Sequence, residues 1–396
     1  MARKRKKIDS GDVIASIFVH GLGVAALLCG LFVLWWGENQ ASRYYSLGSD
    51  ALQSAVEIAD LSRVDPALDG RLVHATGMAQ CATPLEDPLF GVSAKAFTLK
   101  REVSCYQVVE IREKKKDENG RIEIVHRYKD RWVGGAVDSG KFYSAYQKGR
   151  AKPPLAALRS LRLAAQDVTL GAYRLPQFMV ESVRSDNPPK LQVPEGIRLL
   201  LPRKLGIAAD MLHETDYGLY IGSNPSSPRI GDVRIRLSAV PLSEVSVLAL
   251  AKGGTFERYR KPGDPENVNL ARIVPGAVPL EGMIEKVDSD VTGGAWITRV
   301  LAAVLAGAGM IFLPWDRMMG CAPVRLLVNG RASDRTEWGP EAVFRLGLAL
   351  LLLTAGATWL MSGDYATGGT LLACGAALLL WRCIKPGRKA GGGNAH

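Results

Sequence analysis

Four long apolar stretches, separated by segments that carry Lys and Arg, constrain this 396-residue chain more than any other feature. A helix needs about 20 residues to cross the roughly 30 Å hydrocarbon core of a bilayer. Val13–Trp36, Trp296–Trp315, Ala342–Met361 and Thr367–Ile384 are each close to that length or beyond it. They predict an integral, multi-pass membrane protein: an N-terminal transmembrane anchor helix, a large block at 37–295, and three C-terminal transmembrane helices. The mean hydropathy of +0.04 conceals this, because it averages the spans with the polar block between them.

Charge fixes the expected orientation. Five Lys and Arg precede the first span in the tail 1–12, and Arg317, Arg325, Arg331 and Arg335 lie in the connection 316–341. Arg382, Lys385, Arg388 and Lys389 surround the end of the last span and the tail 385–396, whereas the turn Ser362–Ala366 has no basic residue. Basic loops stay cytoplasmic, so both termini are expected in the cytoplasm and the block 37–295 on the other side. The first span resembles a secretory signal only at its basic start. Its apolar run exceeds that of a signal peptide, and Trp35-Trp36-Gly37-Glu38 offers no small-x-small cleavage site, so it reads as an uncleaved anchor. The net charge of +11 does not indicate nucleic-acid binding: residues 37–295 hold 35 Lys and Arg against 32 Asp and Glu, which places the excess beside the membrane segments.

Small residues recur within the spans at four-residue spacing: Gly21/Ala25, Ala26/Gly30, Ala302/Ala306, Ala303/Gly307 and Gly369/Ala373/Ala377. Such strips permit close helix packing, within one chain or between subunits; Ala and Gly are also simply common in spans. His20 is an intramembrane ionisable residue without an acidic partner in any span, which argues against a proton pathway. Arg299 and Arg345 lie within a turn of span ends and are placed to snorkel.

The block 37–295 is long enough for a core of its own. Ala41–Ser62 continues the anchor as an amphipathic helix. Strand alternation follows at Arg71–Ala79, Phe97–Arg112 and Arg121–Tyr128, with Pro84–Pro88 a turn and Asn119-Gly120 a hairpin signal. The spacing of Leu155, Leu158, Leu161 and Ala165 after Pro153-Pro154 predicts a helix. Strands are expected again at Tyr173–Leu175, Phe178–Val180, Ile197–Leu201, Gly218–Ile221 and Gly231–Leu237, with Val245–Ala251 as the hairpin partner of the last. The block is therefore β-rich α+β, one folded unit.

Motifs for chemistry are sparse. The phosphate-loop, zincin and nucleophile-elbow patterns are absent, and the five His are too scattered to suggest a metal site. Asp138-Ser139-Gly140-Lys141 has no specificity alone. The reading assigns no catalytic, cofactor-binding or metal-ligating residues and no cofactor. Cys81 and Cys105 are the only thiols of the block, either a disulfide across neighbouring strands or two buried thiols.

The order of anchor, β-rich block and three closely spaced spans resembles the transmembrane protein 43 family, also called LUMA. The resemblance rests on Gly37-Glu38-Asn39, Gly70–His74, Leu85–Val92, Arg101–Gln107, Val137–Phe142, Ile230–Ile235, Val245–Val247 and Gly254–Phe256. It implies a non-enzymatic scaffold or organising protein of the membrane that forms homo-oligomers and binds other membrane proteins. Eukaryotic members reside in the endoplasmic reticulum and inner nuclear membrane; the Ala-, Gly- and Arg-rich usage here points to a bacterial member in the inner membrane. The rival readings are a module that binds membrane lipid or an envelope component, and a membrane-bound hydrolase.

Overall fold

In hydrocarbon every backbone N–H and C=O must be satisfied inside its own segment, so apolar stretches of this length have to be helices. The computed structural model describes residues 10–116, 122–147, 158–329 and 339–384. Asn119-Gly120, Pro153-Pro154, Leu155, Arg331, Arg335 and most of the two basic tails lie outside them. The helices are α1 (Ser10–Ser54), α2 (Gln177–Ser182), α3 (Glu195–Leu205), α4 (Leu280–Ile311), α5 (Trp315–Met318), α6 (Ala322–Asn329), α7 (Pro340–Met361) and α8 (Tyr365–Ile384). Three segments are long and apolar enough to cross a membrane, Ser16–Ser54, Leu280–Ile311 and Pro340–Met361; the apolar stretch Tyr365–Trp381 of α8 is shorter. The second span stops at Ile311 rather than Trp315, because the chain turns at Pro314 and Trp315 instead donates its indole N–H to the Met310 carbonyl at 2.7 Å.

The chain divides into a helical unit, residues 1–54, 260–270 and 281–396, and a β-rich unit, residues 55–259 and 271–280. In the helical unit α1 and α4 run antiparallel. A Cβ on Gly30 would lie 2.6 Å from the Ala306 nitrogen, one on Gly23 2.8 Å from Phe312, and one on Gly37 inside Thr298. Glycine every seven residues thus brings the two backbones together. Both helices continue beyond their apolar parts, where Gly48 faces Ile284 and the Tyr45 hydroxyl meets Thr292. The 260–270 segment is fastened to this extension of α1, with Arg43 pairing to Asp264 at 2.6 Å and Lys261 donating to Ser46 Oγ at 2.8 Å. The expected helix after the anchor therefore exists, and ends at Ser54 rather than Ser62.

The β-rich unit contains β1 (Val56–Glu57), β2 (Leu72–Cys81), β3 (Leu85–Glu86), β4 (Ser93–Ala94), β5 (Ala96–Lys116), β6 (Ile122–Val133), β7 (Leu161–Ala164), β8 (Val168–Leu170), β9 (Tyr173–Arg174), β10 (Leu212–Thr215), β11 (Gly218–Ile221), β12 (Val233–Pro241), β13 (Glu244–Lys252), β14 (Thr255–Glu257) and β15 (Arg272–Pro275). One sheet runs β1-β2-β8-β9-β14-β13-β15, and an added β2–β13 pairing closes its middle into a ring. That ring encloses Val73, Ala75, Phe97, Val168, Tyr173, Met179, Val247 and Phe256. The second sheet runs β10-β11-β12-β5-β6, with β7 also on β5. Its core is Phe90, Val103, Leu201, Leu219, Val233 and Ile235, covered by α3.

Several expectations fail for identifiable reasons. Leu161–Ala164 is a strand, not part of a helix, because the edge of β5 at Thr98–Arg101, which β6 does not reach, is free to pair with it. Phe178–Val180 and Ile197–Leu201 are helical: short apolar runs are ambiguous in period, and Pro176, Pro194 and the left-handed Gly206 that closes α3 (φ 66°) decide the matter. Leu85-Glu86, inside the expected turn, pairs with Ser93-Ala94. The strand at Val245–Ala251 exists but is not the partner of β12. It pairs with β2, β14 and β15 in the other sheet, while β12 lies between β5 and β11.

Candidate functional site

β5 is twice the length of its neighbours. Its pairing with β12 ends at Cys105, but its pairing with β6 continues from Cys105↔Val133 to Lys116↔Ile122. From Val108 onward the two strands form a ribbon about 30 Å long at roughly 3.4 Å per residue. No described strand pairs with the far edge of β6. Lys114 and Lys115 stand exposed on β5 itself rather than in a turn. Ile124, opposite Lys114, and Ile122, opposite Lys116, are 53% and 65% exposed.

Alternation places Glu110, Tyr128 and His126 on one face of the ribbon. The Glu110 carboxylate is a hub: Oε1 accepts from the Tyr143 backbone N–H at 2.9 Å, from Tyr128 Oη at 3.0 Å, and meets His126 Nδ1 at 2.8 Å. These bonds, the backbone one foremost, hold its pKa down to about 2 against the opposing effect of desolvation. Tyr128 in turn accepts from the Ser144 N–H at 2.9 Å, and burial, followed by Glu110, pushes its phenol pKa up. The His126 ring stacks on Tyr143 with centroids 4.2 Å apart. Buried Gln107 holds the other end of the same strap, donating to the Gly135 carbonyl and accepting from the Val137 N–H. Glu110 and Gln107 therefore fasten residues 134–144 along the ribbon. Asp138 and Lys141 form an exposed ion pair in a 3₁₀ turn of that strap, with Ser139 buried.

On the same face of the sheet the Arg234 guanidinium lies between the rings of Trp132 and Tyr217, 4.6 and 4.3 Å from their centroids. Tyr220 packs edge-on to Trp132 and donates to Asp232, which also accepts the Arg229 N–H at 2.7 Å. Burial, with the Asp232 carboxylate next, raises the Tyr220 pKa.

Two buried constellations brace the unit. Asp87 is fully buried; its Oδ1 accepts from Leu89 and Phe90 N–H, and both of its oxygens from Arg101 Nη1 at 2.8 and 3.0 Å. Arg101 also lies over the Phe90 ring and donates from Nε to the Arg159 carbonyl. His74 lies between two acceptors, the Glu57 carboxylate at Nδ1 and the Val278 carbonyl at Nε2 (3.0 Å). Next to it Ser246 Oγ contacts Thr76 Oγ1, accepts from the Val278 N–H and donates to the Gly276 carbonyl.

The family model described as Transmembrane protein 43 matches residues 105–362. The chain belongs to that family. Transmembrane protein 43 of Rattus norvegicus is 27% identical over 357 residues, covering 86% of this chain and 83% of the relative. The Homo sapiens protein is 27% identical over 379 residues (90% and 87%), and the Drosophila melanogaster homolog 25% over 368 residues (91% and 92%). No solved structure shows a significant similarity.

The segments that carry the family resemblance hold the constellations just described, with His74, Asp87, Arg101, Asp138, Asp232 with Arg234, and Ser246; the first segment holds Glu38. The other residues singled out in the sequence fare unevenly. Cys81 and Cys105 are both buried and belong to different cores, and no disulfide joins them. Burial raises the Cys105 pKa to about 11. Gly30, Ala302 and Ala306 are packed at the α1–α4 contact, whereas Gly21, Ala25, Ala303 and Gly307 are exposed. On α8 the close contact with α7 uses Gly368 and Gly375, one position before Gly369 and two before the exposed Ala377; Ala373 is exposed too. Gly23, Gly30 and Gly37 recur at seven-residue spacing, which the four-residue strips of the sequence do not contain.

His20 Nδ1 lies 2.9 Å from the Phe312 carbonyl at the end of α4. Neither Arg snorkels. Arg299 makes a two-point pair with Glu38, at 2.6 and 3.0 Å, and Trp359 donates to the same carboxylate at 2.7 Å. Arg345 is buried and donates to carbonyls of Leu378 and Leu379 on α8 and of Leu327 and Val328 on α6. It thereby satisfies acceptors left over in the last turn of α6.

Proposed function

We propose that this family member is a non-enzymatic scaffold of the membrane, acting through self-association and partner binding by its β-rich unit. The observation that carries this is the far edge of the twelve-residue strand β6, with which no described strand pairs, and which has Ile122 and Ile124 exposed at its tip. An open edge is a template for a further strand, and proteins that do not use such an edge blunt or cover it. Here the ribbon is stiffened instead, since Glu110 and Gln107 bind the strap to it and Arg234 is sandwiched at its base. A fixed platform lowers the ordering cost of association. The distribution of Lys and Arg supports placing the β-rich unit outside the cytoplasm, with both termini inside, and the residue usage supports a bacterial inner membrane.

The test is the mass of the detergent-solubilised full-length protein, measured beside the Ile122→Glu/Ile124→Glu variant. A discrete assembly that dissociates in the variant supports the reading. A wild-type monomer refutes it.

A further inference from the structure

Among the described residues the Ala303/Gly307 face of α4 is exposed, and it floors a groove. Two cavities of about 550 and 580 Å³ share Ala303, Leu348 and Leu351 and so run together between α4 and α7. The groove extends from Trp296 to Ile311, about 22 Å along α4 at 1.5 Å per residue. Apart from Glu38, Arg299 and Thr367 its walls are apolar, with Phe344 74% exposed on one rim.

One end is different. Arg299 lines it, held by the Glu38 carboxylate, which also accepts from Trp359. Glu38 takes the Arg299 Nε and Nη2 hydrogens, which leaves Nη1 without a partner among the described residues, on a side chain 35% exposed. Trp35, Trp36, Trp296 and Tyr365 are exposed at the same end of the helical unit, which marks it as the membrane–water interface.

We infer that this groove is a binding site for a glycerophospholipid, its phosphate on the Arg299 guanidinium and an acyl chain along the Ala303/Gly307 floor. A fixed guanidinium presenting free N–H donors is matched to a phosphate oxygen. A leaflet is about 15 Å deep, so a chain entering beside Arg299 follows the groove to the midplane and beyond. A helix of a second copy would bring no phosphate to the Arg299 guanidinium, which favours a lipid.

The test uses full-length protein in detergent, delipidated and titrated with 1-palmitoyl-2-oleoyl-phosphatidylglycerol under native mass spectrometry. Gly307→Leu fills the floor; a Cβ there meets nothing within 4 Å, and leucine suits a helix better than glycine, so the variant folds. Gly21→Leu, also at an open position on an exposed face, is the control. The wild type and Gly21→Leu should each retain one lipid per chain, and Gly307→Leu should bind about tenfold more weakly or worse, about 1.4 kcal/mol or more. Equal binding by Gly307→Leu and Gly21→Leu overturns the site. So does a fall in subunit number, without loss of lipid, in Gly307→Leu. Diacylglycerol with the same chains should bind at least about tenfold more weakly than the phospholipid; equal binding would remove Arg299 from the account.

Discussion

Removing both sides of the Asp87–Arg101 pair should cost the β-rich unit much less than the two single removals added together. In Asp87→Ala the guanidinium of Arg101, with a side chain only 8% exposed, loses its counter-ion, and the Leu89 and Phe90 N–H groups lose their acceptor. Breaking a buried pair from one side costs about 3–5 kcal/mol, and orphaned backbone donors place the loss at the upper end. Arg101→Leu strands the carboxylate and should cost about 3–4 kcal/mol on the same grounds. In the double variant no unpaired charge remains, so its loss should fall short of the sum by at least about 2 kcal/mol. Urea unfolding of the full-length protein in mild detergent, followed by tryptophan fluorescence, reads this, with Trp132 in the β-rich unit as reporter. With a slope of about 2 kcal/mol per molar urea, each single variant should lower the midpoint by about 1.5–2.5 M. Shifts under 0.5 M, or a double variant equal to the sum, would refute the reasoning.

Gly30→Leu should destroy the α1–α4 contact, because its Cβ alone would lie 2.6 Å from a backbone atom of α4, whereas Gly21→Leu should leave folding unchanged; yield and thermal aggregation in detergent distinguish them. The strap at 134–144 should depend on pH through Glu110, whose pKa falls from 4.5 to about 2 on folding. A lowered carboxylate pKa stabilises fully above the unfolded value and is lost as pH falls through the folded one. The protection factors of the amides across 134–144, which correct for the intrinsic pH dependence of exchange, should therefore be high above about pH 4.5 and fall toward pH 2, and Glu110→Gln should abolish that dependence; an unaltered profile in the variant would exclude Glu110 as the hub.

Hydropathy was a sufficient guide to the helical unit because a membrane leaves an apolar segment one conformation. It was silent on which faces meet: Gly23, Gly30 and Gly37 contact α4, and only the geometry of the helix pair separates them from the equally small Gly21 and Ala25. Alternation located β2, β5, β6, β11, β12 and β13, yet not their pairing, since β12 and β13 adjoin in sequence but belong to different sheets. Leu161–Ala164 was misread because the edge that makes it a strand is supplied by Thr98–Arg101, some 60 residues earlier. For the candidate site, the recurring segments were visible in the sequence but their roles were not. Asp87 and Arg101, or His74 and Glu57, become partners only once the strands pair. Glu38 was visible at the end of the anchor, but its pairing with Arg299, 261 residues later, was not.

Self-association through β6 is the central claim, and cross-linking in the native membrane tests it most directly. With Cys29, Cys321, Cys374 and Cys383 replaced by serine, Ile124→Cys should form a disulfide- or bismaleimide-linked dimer under conditions where Lys252→Cys, at an exposed strand end of the other sheet, stays monomeric. Equal cross-linking at the two positions, or none at Ile124→Cys, would contradict the account.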